Sequence, residues 1–299
     1  MKVVVWLTLC LLWGTTWIFI KIGLEDLPPI TFSVARFLLA VSILFVVIRV
    51  NKIPLPRGPE WRLIVLTGIL QFSINYSMVF WAEQYITSGL AAVLQAMITV
   101  FGLVLAWIFL PNERITKLKV FAVALGIIGV AVIFIDQLKV QSLMAFLGCV
   151  GVVVGSYAAA QASILIKAKG GAFHPASLVF SQMLCGLPLI IAYSLIAEGN
   201  PLTFNWSWKA VICIVYLSLF GTIAAFWLYY WLLKRVESTK AMMISLVTPL
   251  IAVIIGAVTI GERLPTQTFF GGLLIIGSIG LIVFRRAAKT TPDAEVSTV

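Results

Sequence analysis

Apolar runs of about 17 to 22 residues follow one another along almost the whole chain, parted by short polar breaks. At about 1.5 Å per residue, each run is long enough as a helix to cross a hydrocarbon layer roughly 30 Å thick. The runs are continuously apolar and do not alternate, so helices are expected and a membrane β-barrel is not. Ten spans are predicted: about 3–22, 30–48, 63–83, 88–110, 118–135, 142–166, 175–197, 209–232, 240–260 and 267–284. A 299-residue chain that is 62% hydrophobic and 11% charged carries more apolar surface than one soluble core can bury. The first run is too long for a signal peptide, lacks a small-residue cleavage pattern, and leads instead into Glu25-Asp26 and the turn at Pro28-Pro29.

The net charge of +10 would suit nucleic acid if the basic residues formed a patch, but they fall mainly in every second loop. Sixteen of the Lys and Arg lie on the side of the N-terminus: Lys2, Arg49, Lys52, Arg57, Arg62, Arg114, Lys117, Lys119, Lys167, Lys169, Lys234, Arg235, Lys240, Arg285, Arg286 and Lys289. Lys21, Lys139, Lys209 and Arg263 fall on the other side, and Arg36 lies within a span. The positive-inside rule therefore predicts both termini in the cytoplasm, with nucleic acid excluded as a partner. Cys10, Cys149, Cys185 and Cys213 all fall within spans without CxxC pairing, so neither a disulfide framework nor a zinc site is expected. The polar tail, residues 286–299, is predicted to be disordered and cytoplasmic.

The chain also resembles itself. The segment from Phe80 lies over the segment from Tyr230: Phe80-Trp81 meets Tyr230-Trp231, Ser88 meets Ser238, and Glu113-Arg114 meets Glu262-Arg263 after a slip of one residue. Five spans per half is an odd number, which turns the second copy upside down. The Lys/Arg-rich Glu113 loop and the Lys/Arg-poor Glu262 loop agree with that inversion. Two inverted repeats, 1–138 and 139–285, are thus expected, an arrangement many secondary transporters use to rock around a midplane site.

Trp13-Gly14 followed by Lys21 in the first span, "PPITFSVARF" opening the second (Pro28, Pro29, Arg36), and Gly261-Glu262-Arg263 after the ninth resemble the EamA-type members of the drug/metabolite transporter superfamily. The resemblance covers residues 3 to 284. It implies an inner-membrane exporter of small organic metabolites such as amino acids or related compounds. One departure is the Thr248-Pro249 pair in the ninth span, where the fourth reads Ile98-Thr99-Val100, so the two halves are expected to bend differently.

Three charged residues are candidates for gating or coupling. Lys21 ends the first span, where its stem lets it snorkel, yet Trp13, Trp17 and Lys21 also form one inclined stripe that would suit an entrance. Arg36 lies seven residues past Pro29, at a depth where a guanidinium needs carbonyls, water or a carboxylate. Glu83 is the one carboxylate within a predicted span, and is the candidate carrier if transport is coupled to protons. The substrate path is read from polar and aromatic residues within spans, which are costly in lipid and should point inward: Trp17, Gln71, Asn75, Tyr76, Gln95, Tyr157, Gln161, Trp227, Ser245 and Thr248. Such a set suits neutral or zwitterionic molecules.

The only histidine, His174, has no serine, cysteine or second histidine placed beside it, so no catalytic site, metal or cofactor is expected. The expected partners are a small-molecule substrate, membrane lipid and, if coupled, a proton. A passive uniporter or exchanger remains an alternative to an exporter driven by alternating access, and a membrane enzyme or sensor a more remote one.

Overall fold

The structure is a computed structural model that describes residues 1–86, 88–138, 140, 142–260 and 266–282. Gly261-Glu262-Arg263, Lys139, Arg285 and the tail 286–299 lie outside the described residues, as does the side chain of Ser88.

The described residues are all-helical. In chain order the helices are α1 (Lys2–Gly23), α2 (Pro29–Val50), α3 (Glu60–Ala82), α4 (Ser88–Gln95 and Met97–Phe109), α5 (Lys117–Ile133), α6 (Leu143–Lys169), α7 (Pro175–Ala197), α8 (Trp208–Leu233), α9 (Ser238–Met242 and Ile244–Ile260) and α10 (Thr266–Ile282). Among the described residues eight are long and apolar enough to cross a membrane. The other two, α5 and α10, have 17 residues each and pack against one another.

Helix starts follow their sequence signals. Pro29 and Pro175 stand at the first turns of α2 and α7, where their fixed φ is preorganised and no N–H is missed. Thr116, Ser142 and Ser207 accept hydrogen bonds from the amides of Lys119, Ala145 and Ala210 at 3.2, 3.1 and 3.1 Å, capping α5, α6 and α8.

The packing repeats when each helix is exchanged for the one five places away. α1 lies against α9 as α6 lies against α4; α3 meets α6 and α7 as α8 meets α1 and α2; α2 pairs with α7 and α5 with α10 across the axis. Local backbone form is copied as well. A π-helical stretch, Ile69–Asn75, interrupts α3, and another, Leu217–Ala224, interrupts α8. α4 breaks at Ala96 and α9 at Met243, so the fourth and ninth spans are both interrupted, although only α9 carries a proline within it. Pro249 offers no N–H to the carbonyl of Ser245, which instead accepts from Thr248 Oγ1 at 3.4 Å.

Glycine lets backbones meet where the repeats cross. A Cβ on Gly129 would lie 2.7 Å from the carbonyl oxygen of Gly271, and one on Gly271 would lie 2.5 Å from that of Gly129, so α5 and α10 touch through these two residues. A Cβ on Gly68 in α3 would come within 2.4 Å of the Gln182 carbonyl in α7, an approach that Ser73 reinforces by donating to Gly186 O at 2.7 Å.

Candidate functional site

A cavity of about 190 Å³ lies between the repeats, with walls from α1, α3 and α4 and from their counterparts α6, α8 and α9. Of the residues expected on the path, Trp17, Gln71, Asn75, Tyr76, Gln95, Ser245 and Thr248 line it. Three do not. Tyr157 is 46% exposed on the outside of α6, edge-on to Phe101 at 5.5 Å. Trp227 packs edge-on against His174 at 5.3 Å, toward the Lys/Arg-rich face. Gln161 lies on α6 away from the lining, its Oε1 buried without a hydrogen-bond partner among the described residues.

One wall of the cavity is amide and hydroxyl. Gln95 Nε2 donates to Asn75 Oδ1 at 3.3 Å, and Ser156 Oγ donates to Gln95 Oε1 at 3.4 Å, which orients both amides. Gln71 lines the cavity and makes no hydrogen bond within the described residues, so its amide is open to a ligand. At the break of α9, Ser245 donates to Met242 O at 2.9 Å and shares a 3.0 Å hydrogen bond with Thr99 of α4, joining the two interrupted helices. Both breaks and the first π-helical stretch thus lie beside the cavity, where irregular backbone in a membrane helix is tolerated.

Aromatic rings make up much of the remaining lining. Trp13 packs on Phe226 and Tyr229 at 5.6 and 5.4 Å, and donates through Nε1 to Gly221 O at 3.2 Å in the π-helical stretch of α8. Tyr229 is held by its hydroxyl on Ser163 Oγ at 3.1 Å. Thr16, Ser163, Phe226 and Tyr229 are lining residues that pattern alone did not select, since an aromatic or a small hydroxyl on an apolar helix reads equally well as packing. None of the lining residues carries a charge.

The three charged candidates stand apart from the lining. Lys21 is exposed at the end of α1. Glu83 follows the last residue of α3, in a turn and half-buried. Arg36 is 3% exposed in α2, its guanidinium 4.7 Å from the ring centre of Phe37 and 5.0 Å from that of Tyr76. Among the described residues these three form no ion pair with one another.

Carboxylates join the repeats at both ends. On the Lys/Arg-rich face Glu113, 7% exposed after α4, accepts from the Ser238 amide at 3.0 and 2.8 Å through its two oxygens, accepts from Ser238 Oγ at 2.5 Å, and lies 3.2 Å from Lys167 Nζ. Lys167 also donates to Leu233 O at 2.8 Å and to Val236 O, and Lys119 lies 3.6 Å from Glu237. On the other face Glu198, after α7, accepts from the amides of Ile30 and Thr31 at 2.7 and 2.6 Å, capping α2.

The EamA-like transporter family model matches residues 1–135 and again residues 146–284. The chain belongs to the EamA-like transporter family. It is a multi-pass membrane protein of transporter type, and its two matches correspond to the two repeats. It is 24% identical over 279 residues to the "uncharacterized transporter YoaV" of Bacillus subtilis, covering 93% of this chain and 95% of that one. It is 29% identical over 283 residues to the "uncharacterized inner membrane transporter YedA" of Escherichia coli K12, covering 92% and 86%. With "protein PagO" of Salmonella typhimurium it shares 25% identity over 294 residues, covering 97% and 94%. A solved crystal structure shares the fold, with a TM-score of 0.81 at 16% identity over 94% of this chain and 95% of the other.

Proposed function

We propose that this EamA-like protein is a secondary transporter that exports a small neutral or zwitterionic metabolite, such as an amino acid or related compound, by alternating access. The observation that carries this reading is the uncharged cavity shared by three helices of each repeat. Its volume of about 190 Å³ is below the roughly 300 to 1,000 Å³ of sites for drug-sized ligands, which suits a small metabolite. Fixed amides and hydroxyls share the lining with aromatic surface, so an amphipathic solute finds both hydrogen bonds and apolar contact. A nucleotide or sugar phosphate would meet no cation among the lining residues.

In this reading α5 and α10 complete ten spans in the inner membrane, and the halves 1–138 and 139–285 are the moving bodies. The Lys/Arg-rich face, with both termini, is cytoplasmic, where Glu113 and Lys167 hold the repeats together, so the cavity is served from the outer side. The inner gate opens when Glu113 releases Ser238.

Metabolite release from a bacterial host tests the proposal. Cells expressing the wild type should release one class of small metabolite above the empty vector, and Ser163→Trp, which fills the cavity, should abolish that release at matched protein level. Equal release by wild type and empty vector, with folded protein in the membrane, would overturn it. Because no carboxylate lines the cavity, passive exchange is a specific second reading. Release unchanged when a protonophore collapses the pH gradient would select it over proton coupling through Glu83.

A further inference from the structure

Among the described residues the guanidinium of Arg36 has no counter-charge. It is 3% exposed, it makes no ion pair or side-chain hydrogen bond among the described residues, and its Nε is a buried donor without a partner. Ser218 Oγ bonds the backbone carbonyl of Arg36 at 2.8 Å and does nothing for the charge. What the side chain does have is two aromatic faces, Phe37 at 4.7 Å and Tyr76 at 5.0 Å. Such faces attract a cation but accept none of its in-plane N–H bonds. A buried guanidinium without a partner is a standing cost unless an anion completes it.

Tyr76 connects this charge to the cavity, since the same ring belongs to the cavity wall and to the pair that holds the guanidinium. Burial of Arg36 among α2, α3 and α8 keeps lipid phosphates from reaching it. Glu83 lies seven residues beyond Tyr76, about 10 Å along the helix, and is not its partner.

We propose that Arg36 is the seat for a carboxylate of the transported molecule, reached from the cavity past Tyr76. The planar fork of an arginine matches a carboxylate through two parallel N–H bonds, which a lone lysine would not reproduce. The inference rests on the transport reading and narrows it: of neutral and zwitterionic molecules it selects the zwitterions, whose carboxylate sits at Arg36 while the remainder occupies the 190 Å³ of the cavity.

The test uses the full chain in phosphatidylcholine nanodiscs and the thermal unfolding midpoint as readout. Sodium acetate is the probe, compared with acetamide and with sodium chloride at equal ionic strength. Acetate should raise the midpoint saturably, by about 2–4 °C at ten times its Kd, while acetamide and chloride do not. Arg36→Gln should abolish the shift, and Arg36→Lys should retain it only at roughly tenfold higher acetate. A shift no larger with acetate than with acetamide overturns the proposal, and that wild-type comparison decides even if Arg36→Gln does not fold. A shift equal for chloride overturns the carboxylate assignment, as does one that survives in Arg36→Gln. The two failures are distinguishable: metabolite release without an acetate shift would remove the seat and leave transport, whereas an acetate shift without release would remove transport and reduce Arg36 to a carboxylate site with no transported molecule.

Discussion

Glu113 holds the amide of Ser238 with both carboxylate oxygens, at 3.0 and 2.8 Å, so the loop that ends the fourth span of one repeat caps the helix that begins the ninth span of the other. A carboxylate at a helix N-terminus satisfies donors that have no intrahelical acceptor and meets the positive end of the helix dipole. Replacing Glu113 by Ala orphans the amide and leaves Lys167 without its counter-charge, for an expected loss of about 2–4 kcal/mol. Glu113→Gln keeps an acceptor and should lose about 1 kcal/mol. Thermal unfolding in detergent should rank wild type above Gln above Ala, with Lys167→Met restoring part of the Ala loss; equal midpoints would show that this contact is incidental.

Asn75→Leu removes the acceptor that orients Gln95 and takes a polar group from the cavity wall. A net hydrogen bond is worth about 1–1.5 kcal/mol, so transport should fall roughly tenfold while protein level is unchanged. Release assays on membranes matched for protein content would measure this.

Tyr157→Ala separates the cavity from its surroundings. Its ring lies on the outer surface of α6 and takes no part in the lining. Transport should stay within about twofold of wild type, as surface changes away from special features have small effects. A large loss would mean that this face of α6 serves the transport cycle.

The α5–α10 crossing tolerates no side chain at its centre. Gly129→Val places carbon within 2.7 Å of the Gly271 carbonyl, and overpacking of this kind costs typically 1–3 kcal/mol. Gly280, whose added Cβ would meet nothing within 4 Å, is the control. Gly129→Val should lower the unfolding midpoint and Gly280→Ala should not.

The loop before α7 carries a pH dependence. His174 Nδ1 accepts from the Ala176 amide at 3.2 Å, which requires the unprotonated ring, and burial together with the Lys234 charge holds its pKa below the ordinary 6.5. The native state therefore binds fewer protons than the unfolded one between these two values. The stabilisation is complete above about pH 6.5 and is lost as pH falls through the lowered native value. His174→Asn caps without titrating, so the gap between its midpoint and that of the wild type should change in its favour below pH 6.

Much of this arrangement is legible in the residues themselves. Continuous apolar runs mark the helices, and Phe80-Trp81 over Tyr230-Trp231 marks the duplication, because spacing and copying survive where individual contacts do not. Gln71 and Asn75 lie four apart on one helix face, so finding them together in the cavity wall follows from helical geometry. The orientation of a single polar residue is harder to read. Tyr157 is amphipathic enough to face lipid, and nothing in its neighbours distinguishes that from facing a ligand. The break at Ala96 has no proline or glycine to announce it. Glu113 reads as one more solvated loop charge, because its partner Ser238 lies 125 residues away in the other repeat.

The wide turns of α3 and α8 also record history. A π-helical turn is, in length, one residue inserted into an otherwise regular helix. Here each half carries such an insertion, Ile69–Asn75 and Leu217–Ala224, at matching places in its third helix. One ancestral insertion accounts for both with a single event, where separate acquisition needs two. A single insertion placed before the duplication is the simpler account of the matched wide turns.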